Sequence, residues 1–203
     1  MGTREHSEPI AWILFLTLKS NYESSKLKME NKKRGINGHV PEALFGYSMA
    51  ITVWESFLHE CFYDMISEAR FRKENEVFFE FKENIEKWDL ETKTLAFPKW
   101  IIGKSFDKSQ QPFQDFKKLI QIRNAISHFK MDRPPLSAIK ELDQRKFTIQ
   151  KKANEHYAWT LELSTIECYK WAINTIVDMI HCLADFFPNE IRPFWADTFK
   201  KVD

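Results

Sequence analysis

Glycine is scarce, with 5 residues in 203, and no stretch of β-branched residues alternates with polar ones over a strand's length. Both absences argue against a sheet and for helices. Three cysteines, Cys61, Cys168 and Cys182, form no CxxC pair. This excludes an even disulfide framework and a Cys-rich zinc site, and it suits buried thiols in a reducing, cytoplasmic setting. The longest apolar run, Ile10 to Leu18, falls well short of the roughly 20 residues a bilayer requires, so no membrane span is expected. Charge of one sign is missing too. Lysine plus arginine (30) balances aspartate plus glutamate (29), and the net charge of +1 leaves any nucleic-acid site to be local. No internal repeat, low-complexity tract or clustered set of metal ligands is visible, and the pattern calls for neither cofactor nor metal.

What is present is apolar and aromatic residue in quantity, 43% and 15% of the chain, enough for one substantial core in one domain spanning 1–203. The periodicity predicts an all-α bundle of four to five main helices. Four stand out, near 8–30, 41–70, 111–130 and 165–187, with boundaries uncertain by about two to four residues. Pro9 and Pro41 suit the first turns of the first two. Leu44, Tyr47, Ile51, Trp54, Leu58, Phe62 and Met65 recur at three- and four-residue steps, marking the second as a central core helix. A weaker helical pattern covers Glu76–Trp88, an irregular segment holds Pro98 and Gly103, and one short helix is expected after Pro135. "STIE", Ser164 to Glu167, reads as a capping box for the last long helix. That helix is apolar on two sides and so has two neighbours. One is either a second subunit or another part of the same chain. Residues 188–203, with Phe194, Trp195 and Phe199, read as a short packed tail.

Residues 121–131, "QIRNAISHFKM", place polar groups on an apolar helix. On a wheel of about 100° per residue, Phe113, Phe116, Leu119, Ile120, Ile122, Ile126 and Phe129 fill one half, and Arg123 falls inside it. Asn124 and His128, four positions apart, share the border of the polar half. A guanidinium among core residues requires a partner, because an unpaired buried charge is costly. Glu55, on the flank of the second helix's apolar arc, is the natural candidate. Taken without a site, Arg123 would be a packing ion pair and His128 a C-terminal residue favoured by the helix dipole.

Arg123, Asn124, three residues and then His128 resembles the R-x4–6-H motif of the HEPN superfamily. "AITVWESFLHECF", with Glu55 between aromatics, is similar to the acidic helix that packs against that motif in several members. The resemblance covers Ile10 to about Phe187 and implies an HEPN-like helical bundle. Many members are metal-independent endoribonucleases that act as homodimers, in toxin–antitoxin pairs or in phage and stress defence. By that resemblance His128 is base or acid, Arg123 the phosphate clamp, and Asn124 and Glu55 the residues that orient them. RNA would be the substrate, and a cognate antitoxin or regulatory protein the partner. Members modified by a nucleotidyltransferase antitoxin carry tyrosine two positions after the histidine, where this chain has Lys130. The alternative implied by the same fold is a non-catalytic module that binds nucleotide, RNA or a partner protein.

Overall fold

A computed structural model describes residues 9–31, 39–67, 87–128, 133–149, 158–189 and 192–203. Among the described residues every regular element is helical: α1 (Ile10–Asn31), α2 (Glu42–Ser67), α3 (Leu90–Ile102), α4 (Phe113–Ser127), α5 (Leu136–Gln144), the single turn α6 (Trp159–Glu162) and α7 (Ile166–Ala184), with a 3-10 turn at Phe194–Thr198. The all-α expectation holds, and the four long helices fall where the periodicity put them. The expected helical pattern at Glu76–Trp88 lies outside the described residues as far as position 86, and Lys87 and Trp88 form a turn and a bend.

Helices α2 and α7 form the centre. Tyr47, Ala50, Val53, Trp54 and Phe57 of α2 are fully buried, as are Cys168, Tyr169, Ala172, Ile173, Ile176 and Ile180 of α7. The Tyr169 ring of α7 packs directly onto α2 at Gly46, where an added Cβ would lie 2.3 Å from a ring carbon. Glycine is therefore required by packing, although it lowers helix propensity. Helix α1 lies along α2, and its first turn is tied down where the Ala11 amide donates to Glu60 Oε1 at 3.1 Å. Helix α4 packs against both central helices through Phe116, Leu119 and Ile122, all fully buried. The tail closes the remaining side of α7. Trp195, Ala196, Phe199 and Val202 are buried, and the Asn174 side chain exchanges hydrogen bonds with both the N–H and the C=O of Val202. The two apolar sides of α7 are thus covered by α1, α2, α4 and the tail of the same chain.

Two local readings are corrected. The segment around Pro98 and Gly103 is helical, not irregular. Asp89 accepts from Thr92 N–H at 2.8 Å as a side-chain cap, and Gly103, at φ 70°, closes the helix in the left-handed region through its N–H to Lys99 C=O. Pro98 lies in the third turn, where its missing N–H frees the carbonyl of Thr94. The capping box at Ser164 does not form, and the cap falls one residue later. Thr165 caps α7 by accepting from Cys168 N–H, while Ser164 Oγ donates to Leu161 C=O.

Candidate functional site

Helix α4 starts after Pro112 and ends at Ser127, and His128 closes it at φ −99°, ψ 13° with its N–H donated to Asn124 C=O at 3.1 Å. The last turn carries Asn124 and Ser127, with His128 beside it. The His128 side chain is exposed and Asn124 is half-buried. Arg123 reaches across to α2, where its Nη2 lies 3.7 Å from Glu55 Oε1. The expected Glu55–Arg123 pair is present.

Its setting is less buried than the wheel suggests. The Arg123 side chain keeps 26% of its exposure and Glu55 48%, so the pair sits on the rim of the α2–α4 contact with water on one side. The Arg123 Nε is an exception, being buried and without a hydrogen-bond partner among the described residues. Among those residues no hydrogen bond or ion pair joins the side chains of Arg123 and His128. Their separation of about 140° around the helix explains this, and only a bound group placed over the helix end would bring both to one point. Phe129 to Asp132, including Lys130, lie outside the described residues.

A more buried ionic cluster than the Glu55–Arg123 pair lies elsewhere, towards the start of α4. Asp115 accepts from both terminal nitrogens of Arg145 at 2.7 and 2.9 Å, from Trp171 Nε1 at 3.0 Å, from Gln111 Nε2 at 3.0 Å and from Lys118 Nζ at 3.3 Å. Glu141 bridges Lys118 and Arg145 from α5. Burial pushes the Asp115 carboxyl up, but the hydrogen bonds from Arg145, Trp171 and Gln111 outweigh it and hold the pKa at about 2. This cluster ties α4, α5 and α7 together. It escaped the sequence reading, although Asp115 stands in the same stripe as Leu119 and Ile122, the signal that singled out Arg123.

An open groove of about 770 Å³ runs past the cluster, lined by Gln111, Asp115, Arg145, Thr175, Asp178 and Asp185 among others. Its acids are already engaged: Asp178 pairs with Lys201 at 2.7 Å and Asp185 with Arg192 at 3.4 Å. Three carboxylates around one guanidinium make it a poor seat for a phosphate. Among the described residues no group of three or more His, Cys, Asp or Glu is placed to hold a metal ion. None of the described helices is long and apolar enough to cross a membrane.

Among the described residues, His39, His181 and the three cysteines are structural in placement. His39 Nδ1 lies 3.4 Å from Ser164 Oγ, and His181 Nε2 3.0 Å from Phe199 C=O. Cys61 and Cys168 are buried and Cys182 half-buried, all three as free thiols. Burial raises the Cys168 thiol to about 11, far from a reactive thiolate. Comparisons with family models, with curated proteins and with solved structures each returned no match.

Proposed function

We propose that this chain is a metal-independent endoribonuclease of the HEPN type, serving in a toxin–antitoxin pair or in phage or stress defence in the cytoplasm. One observation supports this above the others. The exposed His128 ends the same helix from which Arg123 leans on Glu55, so an acid–base group and a phosphate-binding fork stand at one rim of the bundle. In the reaction the 2′-hydroxyl loses its proton to a base as its oxygen attacks phosphorus, and the bond to the 5′-oxygen breaks as that oxygen gains a proton. A cyclic phosphate and a free 5′-hydroxyl result. His128 supplies base or acid, and Arg123 binds the phosphate oxygens as negative charge builds on them. Glu55 holds the guanidinium from behind, and Asn124 orients the phosphate or His128.

A non-catalytic binding module is the competing reading, favoured by the Glu55 contact, which by itself accounts for the Arg123 charge. Purified protein incubated with total RNA in excess EDTA separates the two. Wild type is expected to cut, and His128→Ala to lose about a hundredfold or more of the rate. Equal cleavage by both proteins would locate any nuclease elsewhere. No cleavage by wild type would leave the binding module.

A further inference from the structure

Helix α7 carries a polar stripe into the groove beside the Asp115 cluster. Thr175, Asp178 and Cys182, with Asp185 at the helix end, recur at three- and four-residue steps, and all four line that groove of about 770 Å³. Thr175 and Cys182 form its floor, the first only 4% exposed and the second half-buried. The aspartates form the rim, with side chains 41% exposed at Asp178 and 71% at Asp185. Pro112 and Phe186 add apolar surface.

The Thr175 hydroxyl is a polar group that the fold does not use. Other buried helical hydroxyls are satisfied along their own backbone, Ser25 by donating to Asn21 C=O and Thr94 to Leu90 C=O. Thr175 has no hydrogen-bond partner among the described residues. Its oxygen is not sealed from solvent, so it opens into the groove that it lines. A hydroxyl held this deep is satisfied only by what enters from that side.

The rim above it is negative. Asp178 and Asp185 are seven residues apart, about 10 Å along the axis and within about 20° around it. Their present partners hold them loosely. Lys201 meets Asp178 between two half-exposed side chains. Arg192 already gives both terminal nitrogens to Asp197, at 2.7 and 2.9 Å, and lies 3.4 Å from Asp185. Exposed pairs of this kind contribute little, so a competing cation can displace them. Burial raises the Cys182 thiol pKa, and Asp185 and Asp178 raise it further, so their field reaches the floor. At the opposite wall Asp115 and Arg145 neutralise each other.

We propose that this groove binds a linear polyamine whose terminal ammonium groups lie about 10 Å apart. One ammonium meets Asp178 and the Thr175 hydroxyl, the other meets Asp185, and the methylenes between them cover Cys182, Pro112 and Phe186. A compact cation could reach only one carboxylate at a time, and an anion would meet like charge. The site is separate from the rim that carries Arg123 and His128, and it does not rest on the nuclease reading.

The test titrates the full chain, with no RNA present, by isothermal calorimetry at low ionic strength. The probes are spermidine and two diamines of equal charge, 1,8-diaminooctane, which spans the two carboxylates, and 1,3-diaminopropane, which does not. Spermidine and the long diamine are expected to bind one per chain with a dissociation constant of about 1 mM or tighter, and the short diamine about tenfold more weakly. Asp178→Asn and Asp185→Asn should each weaken the long amines about fivefold or more, and Thr175→Val, which keeps the buried shape, about threefold. Glu23→Gln, on the outer face of α1, should leave them within about twofold, separating a site from general attraction to acids. Thermal melts confirm that each variant is folded. No saturable binding by wild type, equal affinity for the two diamines, or unchanged affinity in the Asp178→Asn, Asp185→Asn double variant would overturn the site.

Discussion

Arg123 is where the competing readings part, because its energetic and chemical roles differ in size. A pair at 3.7 Å with one partner half-exposed and the other a quarter exposed resembles a surface salt bridge, worth about 0–1 kcal/mol, and not a buried one whose disruption costs about 3–5 kcal/mol. Arg123→Ala is therefore expected to lower unfolding free energy by only about 1 kcal/mol in a denaturant titration, while cleavage is lost. Arg123→Lys should leave stability unchanged and still impair cleavage, since lysine keeps the charge but not the two-pronged fork. A loss of several kcal/mol with cleavage intact would assign Arg123 to packing. The wheel gave the direction of this side chain correctly and its depth incorrectly. Direction follows from the helical period, whereas depth depends on what lies above. Arg123 stands one turn from the end of α4, where the cover of α2 thins.

At the scale of elements, the Asp115 cluster does what Arg123 was expected to do. It joins α4 to α5 and α7 through a carboxylate only 12% exposed, with its pKa held at about 2 against an ordinary value of 3.8. A folded-state pKa below the unfolded one contributes stability that is present above about 4 and lost as pH falls towards 2. The melting temperature is expected to drop through that window. Asp115→Asn should lower it at neutral pH and flatten the dependence, and an unchanged slope would place the acid sensitivity in other carboxylates. Gly46 offers a second check. Gly46→Ala gains up to about 1 kcal/mol in helix propensity but drives a Cβ to 2.3 Å from the fully buried Tyr169 ring. Overpacking of this kind costs about 1–3 kcal/mol, so a lower melting temperature is expected. Had α2 and α7 room to part, the variant would be more stable than wild type.

The same elements show what a sequence discloses. The long helices α1, α2, α4 and α7 were legible because each repeats its apolar residues with the helical period over many turns. Helix α3 was not, since Pro98 and Gly103 are breakers on their own; the capping sequence Asp89-Leu-Glu-Thr and the terminal position of Gly103 outweigh them in the fold. Glu55 was legible as the partner of Arg123 because both lie on long periodic helices. Arg145 was not, because it follows a nine-residue helix too short to fix which way it faces. The Trp88–Trp100 ring pair was hidden for a related reason: the rings are 12 positions apart and meet only through the path of the chain into α3.

For the molecule as a whole, the proposed reaction sets a requirement on assembly. One histidine does not readily take the 2′ proton and supply the 5′ proton in the same step. A twofold axis would bring a second His128 to the same phosphate, since an isologous interface presents the same residues from both sides. The doubly apolar α7 no longer supports a dimer, as α1, α2, α4 and the tail of its own chain cover it. Support comes from this chemistry and from the exposure of His128 at a helix end, where two copies could face one another. If the cleft is shared, rate per chain should fall with dilution below the dimer constant and recover on concentration. Mixing wild-type with His128→Ala chains should lower the activity by more than the wild-type fraction alone accounts for, since each mixed pair brings only one His128 to the shared cleft. Light scattering is expected to give twice the chain mass of 24.3 kDa under cleaving conditions. A monomer that cuts RNA at every dilution would show that one His128 suffices, with water or Asn124-held solvent carrying the second proton.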